Sequence, residues 1–237
     1  MLFRSPSLVL IIMADQLGRS VGDMYLGAWG PSLLQIALFA GYTWYLTLVK
    51  PEALPAVPRT LFGKELLVKC AWGIIPAAVL IFLVLGTIFL GVATPTEGGA
   101  MGAVGALVMA ISRNRLTLAL TKQALNSTAK LSAFVVFILI GSTTFNLAFQ
   151  AVDGNKWVEH LLDGLPGGQI GFLIVVNALV FVLAFFLDFF ELAFIIVPLL
   201  GPVAEKLGID LIWFGVLLAV NMQTSFMHPP FGFALRS

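Results

Sequence analysis

Five stretches of this chain contain no Asp, Glu, Lys or Arg: Met24–Val49, Cys70–Thr96, Leu131–Val152, Gly164–Leu187 and Leu211–Leu235. Each exceeds the ~20 residues that a helix needs to cross a hydrocarbon core of ~30 Å. Inside that core no water reaches the backbone, so a spanning segment must satisfy its own amides and carbonyls. Hydrophobic residues make up 59% of the chain and charged residues 11%, with a mean hydropathy of +1.02. These features predict an all-α polytopic membrane protein. The net charge of +1 gives no indication of a nucleic-acid partner or of a polybasic lipid-binding tail. The single cysteine, Cys70, excludes an intrachain disulfide and reads as a small packing residue.

The last run is broken in its middle. Asn221-Met222-Gln223-Thr224-Ser225-Phe226-Met227-His228-Pro229-Pro230 gathers hydrogen-bonding side chains and closes on two prolines. Leu211–Val220 separates it from Asp210, about 15 Å of helix at ~1.5 Å per residue, half of the hydrocarbon core. Consecutive prolines remove two donors and drive the preceding residue out of helical geometry. Unwound backbone at that depth persists only when buried in protein or lining a watery cavity. Broken helices at the midplane are the usual substrate and ion sites of secondary transporters.

Charge sets the topology. Lys50, Arg59, Lys64 and Lys69 form one basic cluster, and Arg113, Arg115, Lys122 and Lys130 a second. Asp153–Asp163 carries three acids against Lys156. The positive-inside rule places the two basic clusters in the cytoplasm and the acidic segment outside, with Leu131–Val152 crossing once. Cys70–Ile111 has basic residues beyond both ends and a turn signal, Ala93–Gly99, in its middle. It reads as a re-entrant hairpin with its tip in the membrane; a hairpin opening to the outside is the alternative. Leu61–Lys69 and Leu116–Lys130 read as interfacial amphipathic arms, Pro51–Pro58 as a stiff loop, and Gly164–Gly168 as a turn.

Thr94-Pro95-Thr96-Glu97 is a capping box with Pro at the first helical position. A carboxylate in a charge-free membrane segment is also a functional-site hypothesis. A helix N-terminus favours a substrate carboxylate, and Thr94 and Thr96 supply hard oxygens for an alkali cation. Gly98, Gly102 and Gly105 are read as a packing surface. Asn221, Gln223, Thr224 and Ser225 are too many polar groups for interhelical glue at about 1 kcal/mol each, and are assigned to an ion and substrate site with His228. Asp188 is read as an interfacial N-cap with Glu191 after a turn, Ser142-Thr143-Thr144 as packing, and His160 as a solvated loop residue. Ser5-Pro6-Ser7 before Leu8–Met13 echoes the break at 228–230. The apolar stretch Leu8–Ala14 is too short, and lacks the cleavage pattern, for a signal peptide. Both ends are expected to be cuts in a longer chain. No P-loop, dinucleotide fingerprint, Cys/His metal spacing or serine elbow is present, so no residues suggest an enzyme.

Gly91-Val92-Ala93-Thr94-Pro95-Thr96-Glu97, Asp188–Pro198 and Met222–Leu235 together resemble the large membrane subunit of TRAP (tripartite ATP-independent periplasmic) transporters, in the mannitol/chloroaromatic-like branch. The resemblance covers essentially the whole chain, as the later half of that subunit. It implies an elevator-type transporter of two inverted repeats, each with a re-entrant hairpin and a broken helix. Residues 1–16 would then end the first broken helix, with Ser5 and Ser7 as its remnant site. Residues 20–69 form a connecting span and amphipathic helix, 70–112 the hairpin, 113–130 an amphipathic arm, 131–210 spanning helices and 211–237 the second broken helix. The first hairpin has no counterpart here, and His228 stands where the motif usually has threonine. The implied function is sodium-coupled uptake of a small organic acid across the bacterial inner membrane, with Na+ as coupling ion and no other cofactor. Its implied partners are a small membrane subunit and an extracytoplasmic solute-binding protein. A pore-forming or non-transporting subunit, or an antiporter or exporter of the wider ion-transporter group, is the alternative.

Overall fold

The computed structural model describes residues 6–53 and 63–223. In chain order its helices are α1 (Pro6–Gln16), α2 (Val21–Gly27), α3 (Trp29–Val49), α4 (Lys64–Phe89), α5 (Pro95–Ser112), α6 (Leu118–Ala151), α7 (Gly154–Asp163), α8 (Gly168–Leu183), α9 (Phe189–Glu191), a π-helical turn Leu192–Ile196, α10 (Val197–Lys206) and α11 (Leu211–Met222). The described residues contain no strand, so the fold is all-α. Among the described residues three helices, α3, α4 and α6, are long and apolar enough to cross a bilayer. The chain divides into two compact units, residues 29–121 and residues 1–28 with 122–237.

In the first of these units α4 and α5 form a helical hairpin. Its register can be read from the glycines of α5. A Cβ on Gly98 would lie 2.9 Å from Ile88 Cδ1, one on Gly102 would lie 3.4 Å from Val84 Cγ2, and one on Gly105 would run into Leu80. The contacts step down α4 as they step up α5, so the helices are antiparallel. Absent side chains let the backbones approach where a larger residue would hold them apart. The turn is built from two motifs placed end to end. Gly91, at φ +69°, takes the left-handed conformation that closes α4. The amide of Val92 then donates to Thr87 O at 2.9 Å and that of Gly91 to Ile88 O at 3.1 Å, a Schellman cap. Thr94 opens α5 three residues later.

The base of the hairpin is held differently. Pro76 lies inside α4 and cannot donate to the carbonyl four residues back, Trp72 O. The guanidinium of Arg113, the C-cap of α5, donates to that carbonyl instead. Lys64–Lys69 is not a separate interfacial arm; it forms the first turns of α4, with Lys69 paired to Glu65 at 2.8 Å.

The other unit packs α1, α2, α8, α10, α11 and the π turn around one apolar core that includes Met13, Met24, Phe172, Leu192, Phe214 and Leu218. One end of this bundle is polar. Arg19 pairs with Glu205 at 3.1 Å and Lys206 with Glu159 at 2.6 Å. Asp210 caps α11 by accepting from Trp213 N at 2.8 Å, and Gln169 donates to Leu207 O at 2.6 Å. These exposed pairs are each worth at most about 1 kcal/mol, but they fix which ends lie together. From that end α8 and α11 run parallel, with Phe172 and Phe214 in contact at 5.8 Å between ring centroids. α1 runs the opposite way along α11: Leu17, just past its end, fills the space over Gly201 and Gly215.

Two expectations change in this unit. Asp153–Asp163 is helix α7 rather than a loop, because Val158 and Leu162 share an inward face and Leu162 is buried. Leu118–Lys130 is not a separate arm either. It is continuous with the following span, giving a helix of 34 residues, about 51 Å at ~1.5 Å per residue. The turn expected near Asp188 is present. α8 ends at Leu183, and Asp188 caps α9 in a reciprocal box with Glu191.

The hairpin register yields a first expected outcome. Gly105→Leu places a branched side chain where Leu80 already sits, and overpacking of this kind costs about 1–3 kcal/mol. Disulfide formation between cysteines at Val84 and Gly102 should fall sharply in the Gly105→Leu background. Gly99→Leu, at a glycine with open space around it, should leave it unchanged.

Candidate functional site

The sequence-selected residues fall on both units. On the hairpin, Thr94 and Glu97 complete the capping box in both directions. Glu97 N donates to Thr94 Oγ1 at 3.3 Å, and Glu97 Oε2 accepts from Thr94 N at 2.7 Å and Thr94 Oγ1 at 2.9 Å. One carboxylate oxygen is therefore committed to holding the tip, which gives Glu97 a defined structural role. Thr96 stands beside this box in the first turn and is exposed. Leu90 and Val92 on the tip are 79% and 75% exposed.

On α11, Asn221 lies eleven residues past Asp210 at half-buried depth. Its Nδ2 donates to the backbone carbonyl of Asn177 at 2.8 Å and to Asn177 Oδ1 at 3.1 Å. Asn177, on α8, in turn donates to Leu173 O at 2.8 Å. Gln223 is the C-cap of α11, its amide turned back to Ala219 and Asn221 carbonyls. Thr224, Ser225 and His228 lie outside the described residues, as does Ser5. Ser7 lies in the first turn of α1.

A third polar contact was not singled out from sequence. Pro198 cannot donate to the carbonyl four residues back, Phe194 O, which lies in the π-helical turn. Asn146 Nδ2, on α6, reaches that carbonyl at 3.3 Å. Asn146 Oδ1 is buried and has no partner among the described residues. Isolated π turns inside helices are frequent at functional positions. The signal was available in the sequence: a proline four residues beyond a buried carbonyl needs an outside donor, and an asparagine in a charge-free run is a ready source. The hydroxyls nearby need no such partner. Ser142, Thr143 and Thr144 each bond back to their own helix at 2.8–3.0 Å.

These contacts give several of the polar residues a structural task. Thr94, Glu97, Asn221 and Asn146 hold helix ends, neighbouring helices or an orphaned carbonyl. Among the described residues no cluster of His, Cys, Asp and Glu could hold a metal ion. The oxygens offered by Thr96 and the non-helical carbonyls of the turn suit an alkali cation better than a transition metal.

Asn146→Leu should lower stability by about 1 kcal/mol, because it strips a donor from Phe194 O while also removing the buried, unpartnered Asn146 Oδ1. Ser142→Ala, which deletes only a back-bond, should cost less. Thermal unfolding of the two variants in the same detergent distinguishes them.

Comparison with known proteins places the chain. A family model for the tripartite ATP-independent periplasmic transporter, DctM component, matches residues 5–236. The chain is 30% identical over 223 residues to the C4-dicarboxylate TRAP transporter large permease protein DctM of Rhodobacter capsulatus, covering 91% of this chain and 48% of that protein. The protein of the same description from Pseudomonas aeruginosa is 30% identical over 237 residues, covering 97% and 53%. The sialic acid TRAP transporter large permease protein SiaM of Vibrio cholerae is 27% identical over 232 residues, covering 97% and 53%. The chain thus spans about half the length of the curated relatives it matches.

Proposed function

The chain belongs to the family of TRAP transporter DctM components, and from that premise we propose that it forms part of a large permease subunit that takes up a small organic acid with sodium. The observation that carries this reading is the hairpin tip. Two consecutive caps fix its backbone, with the amides of Val92 and Ala93 both on Thr87 O at 2.9 and 3.1 Å. A turn held this firmly presents its carbonyls and the Thr96 hydroxyl without further ordering cost, as a cation site requires. The N-terminus of α5 adds positive partial charge for a substrate carboxylate.

In this reading the tip is re-entrant, and sodium is held by oxygens of residues 94–96 together with Thr224 and Ser225 beyond α11. Gln223, Asn221 and His228 stand toward the substrate, with His228 in place of the threonine usual in the family. Elevator movement carries the site between the two faces of the bacterial inner membrane. A small membrane subunit and an extracytoplasmic solute-binding protein complete the system. Relatives named for C4-dicarboxylates and sialic acid transport both support an acidic substrate.

In the complete subunit, Thr96→Ala and Thr224→Ala should each raise the sodium concentration for half-maximal uptake several-fold at normal expression. Cysteines at Thr96 and Ser225 should cross-link through a short bifunctional reagent, protected by sodium. Unchanged sodium activation in both alanine variants, with no cross-link, would remove these residues from the site.

A further inference from the structure

We infer that the base of the α4–α5 hairpin binds the headgroup of an anionic phospholipid through Arg113 and Arg115. This site is independent of the proposed sodium and substrate site, and it lies wholly within the unit of residues 29–121.

On α4 the charge-free run begins at Cys70, and on α5 the run after Glu97 ends at Ser112. The antiparallel register brings these two ends together, because Arg113 bonds to Trp72 O. The base of the hairpin therefore stands at an edge of the hydrocarbon core. Trp72 is 70% exposed there, and tryptophan is enriched at headgroup level.

An arginine that closes an apolar helix usually extends its charge into water. Arg113 instead folds its guanidinium back across α4 and donates to a carbonyl inside the charge-free run. That acceptor is neutral, so the full positive charge remains, with further donors on the guanidinium fork. Arg115 follows in the same turn. Asn114, at φ +50°, reverses the chain, and the amides of Asn114 and Arg115 close α5 on Ile111 O and Ala110 O at 2.9 and 3.0 Å. The Arg115 backbone is thus fixed, while its side chain is exposed and has no protein partner among the described residues. The acids on the two helices are Glu65, already paired with Lys69 at 2.8 Å, and Glu97 at the far end of the hairpin. Neither is left to neutralise the two arginines.

Two unneutralised guanidinium groups at the boundary call for an anion that reaches the same depth. A lipid phosphodiester lies at that depth, and its oxygens accept paired bonds from an arginine. The apolar surface beside it distinguishes a lipid from a soluble phosphate. Trp72, Ile75, Val79 and Phe82 recur at helical spacing along one stripe of α4, and all four are exposed. The stripe runs from the base into the membrane, as an acyl chain below a bound headgroup would. Basic groups between helices at the membrane surface are suited to anionic headgroups.

The test uses the complete permease subunit, delipidated in detergent and titrated with phosphatidylglycerol or phosphatidylcholine of matched acyl chains. Native mass spectrometry counts the bound lipid. Phosphatidylglycerol should bind about tenfold more tightly than phosphatidylcholine. Arg113→Gln, which keeps a donor for Trp72 O, and Arg115→Gln should each weaken phosphatidylglycerol binding about fivefold, the factor expected of one basic residue at an anionic surface. Phosphatidylcholine binding should not change. Lys156→Gln, an equal loss of charge on α7, should alter neither lipid. If Arg113→Gln is not recovered folded, Arg115→Gln carries the comparison, because its side chain makes no bond among the described residues. Inorganic phosphate and glycerol 3-phosphate in large excess should leave most of the phosphatidylglycerol bound. Complete displacement by either assigns the arginines to a soluble phosphate and overturns the lipid site. Equal affinity for the two lipids, a preference that survives both arginine variants, or an equal loss in Lys156→Gln also overturns it.

Discussion

A backbone carbonyl without a donor is the constraint around which this fold is arranged. In a hydrocarbon medium each such group costs several kcal/mol, and water cannot repair it. Pro76 and Pro198 each withhold the usual α-helical donor from a carbonyl inside an apolar helix, at Trp72 and at Phe194. In both places a side chain from another helix donates to that carbonyl: Arg113 from α5 and Asn146 from α6. A break in one helix thus becomes a bond to a neighbour. The prolines that weaken the helices locally are also the points where the bundle is cross-tied.

The same logic governs the residues that first drew attention as ligands. Glu97 bonds to Thr94 and Asn221 to Asn177. Each bond ties a polar side chain into the protein, at the hairpin tip in one case and between α8 and α11 in the other.

Much of the architecture is legible in the sequence because its signals are local. The turn after Phe89 is written in Gly91 and in the Thr-Pro-x-Glu that follows. The turn before α9 is written in Asp188 and Glu191, and the start of α11 in Asp210. Glycines four and three residues apart along α5 announce a close neighbour. Contacts between helices are harder to read. That Asn221 meets Asn177 depends on the register of α8 against α11, which is set by Phe172, Phe214 and Gln169 over many residues. The same holds for Asn146, one asparagine in a long apolar run until the π turn and Pro198 give it a carbonyl to meet. α7 was hidden for a different reason: its charged residues suggested a loop, while its helical face shows only as Val158 and Leu162.

In the proposed reading, the echo between Ser5-Pro6-Ser7 and the His228-Pro229-Pro230 segment belongs to an inverted repeat. In an inverted repeat the two broken helices cross the membrane in opposite directions. The arm after the first break and the arm before the second then occupy the same half of the bilayer and run antiparallel. In that reading α1 and α11 would be those two arms. They lie side by side with opposed directions, and the end of α1 and the start of α11 share the polar end marked by Arg19, Glu205 and Asp210. A parallel repeat would place the corresponding arms in opposite halves, where they could meet only end to end. The close seating of Leu17 over Gly215 is compatible with the inverted arrangement. It also carries a mechanical consequence. Two arms that share a packed face move as one body, so displacement of one break displaces the other. A site built at the breaks would then travel as a unit, as elevator movement demands.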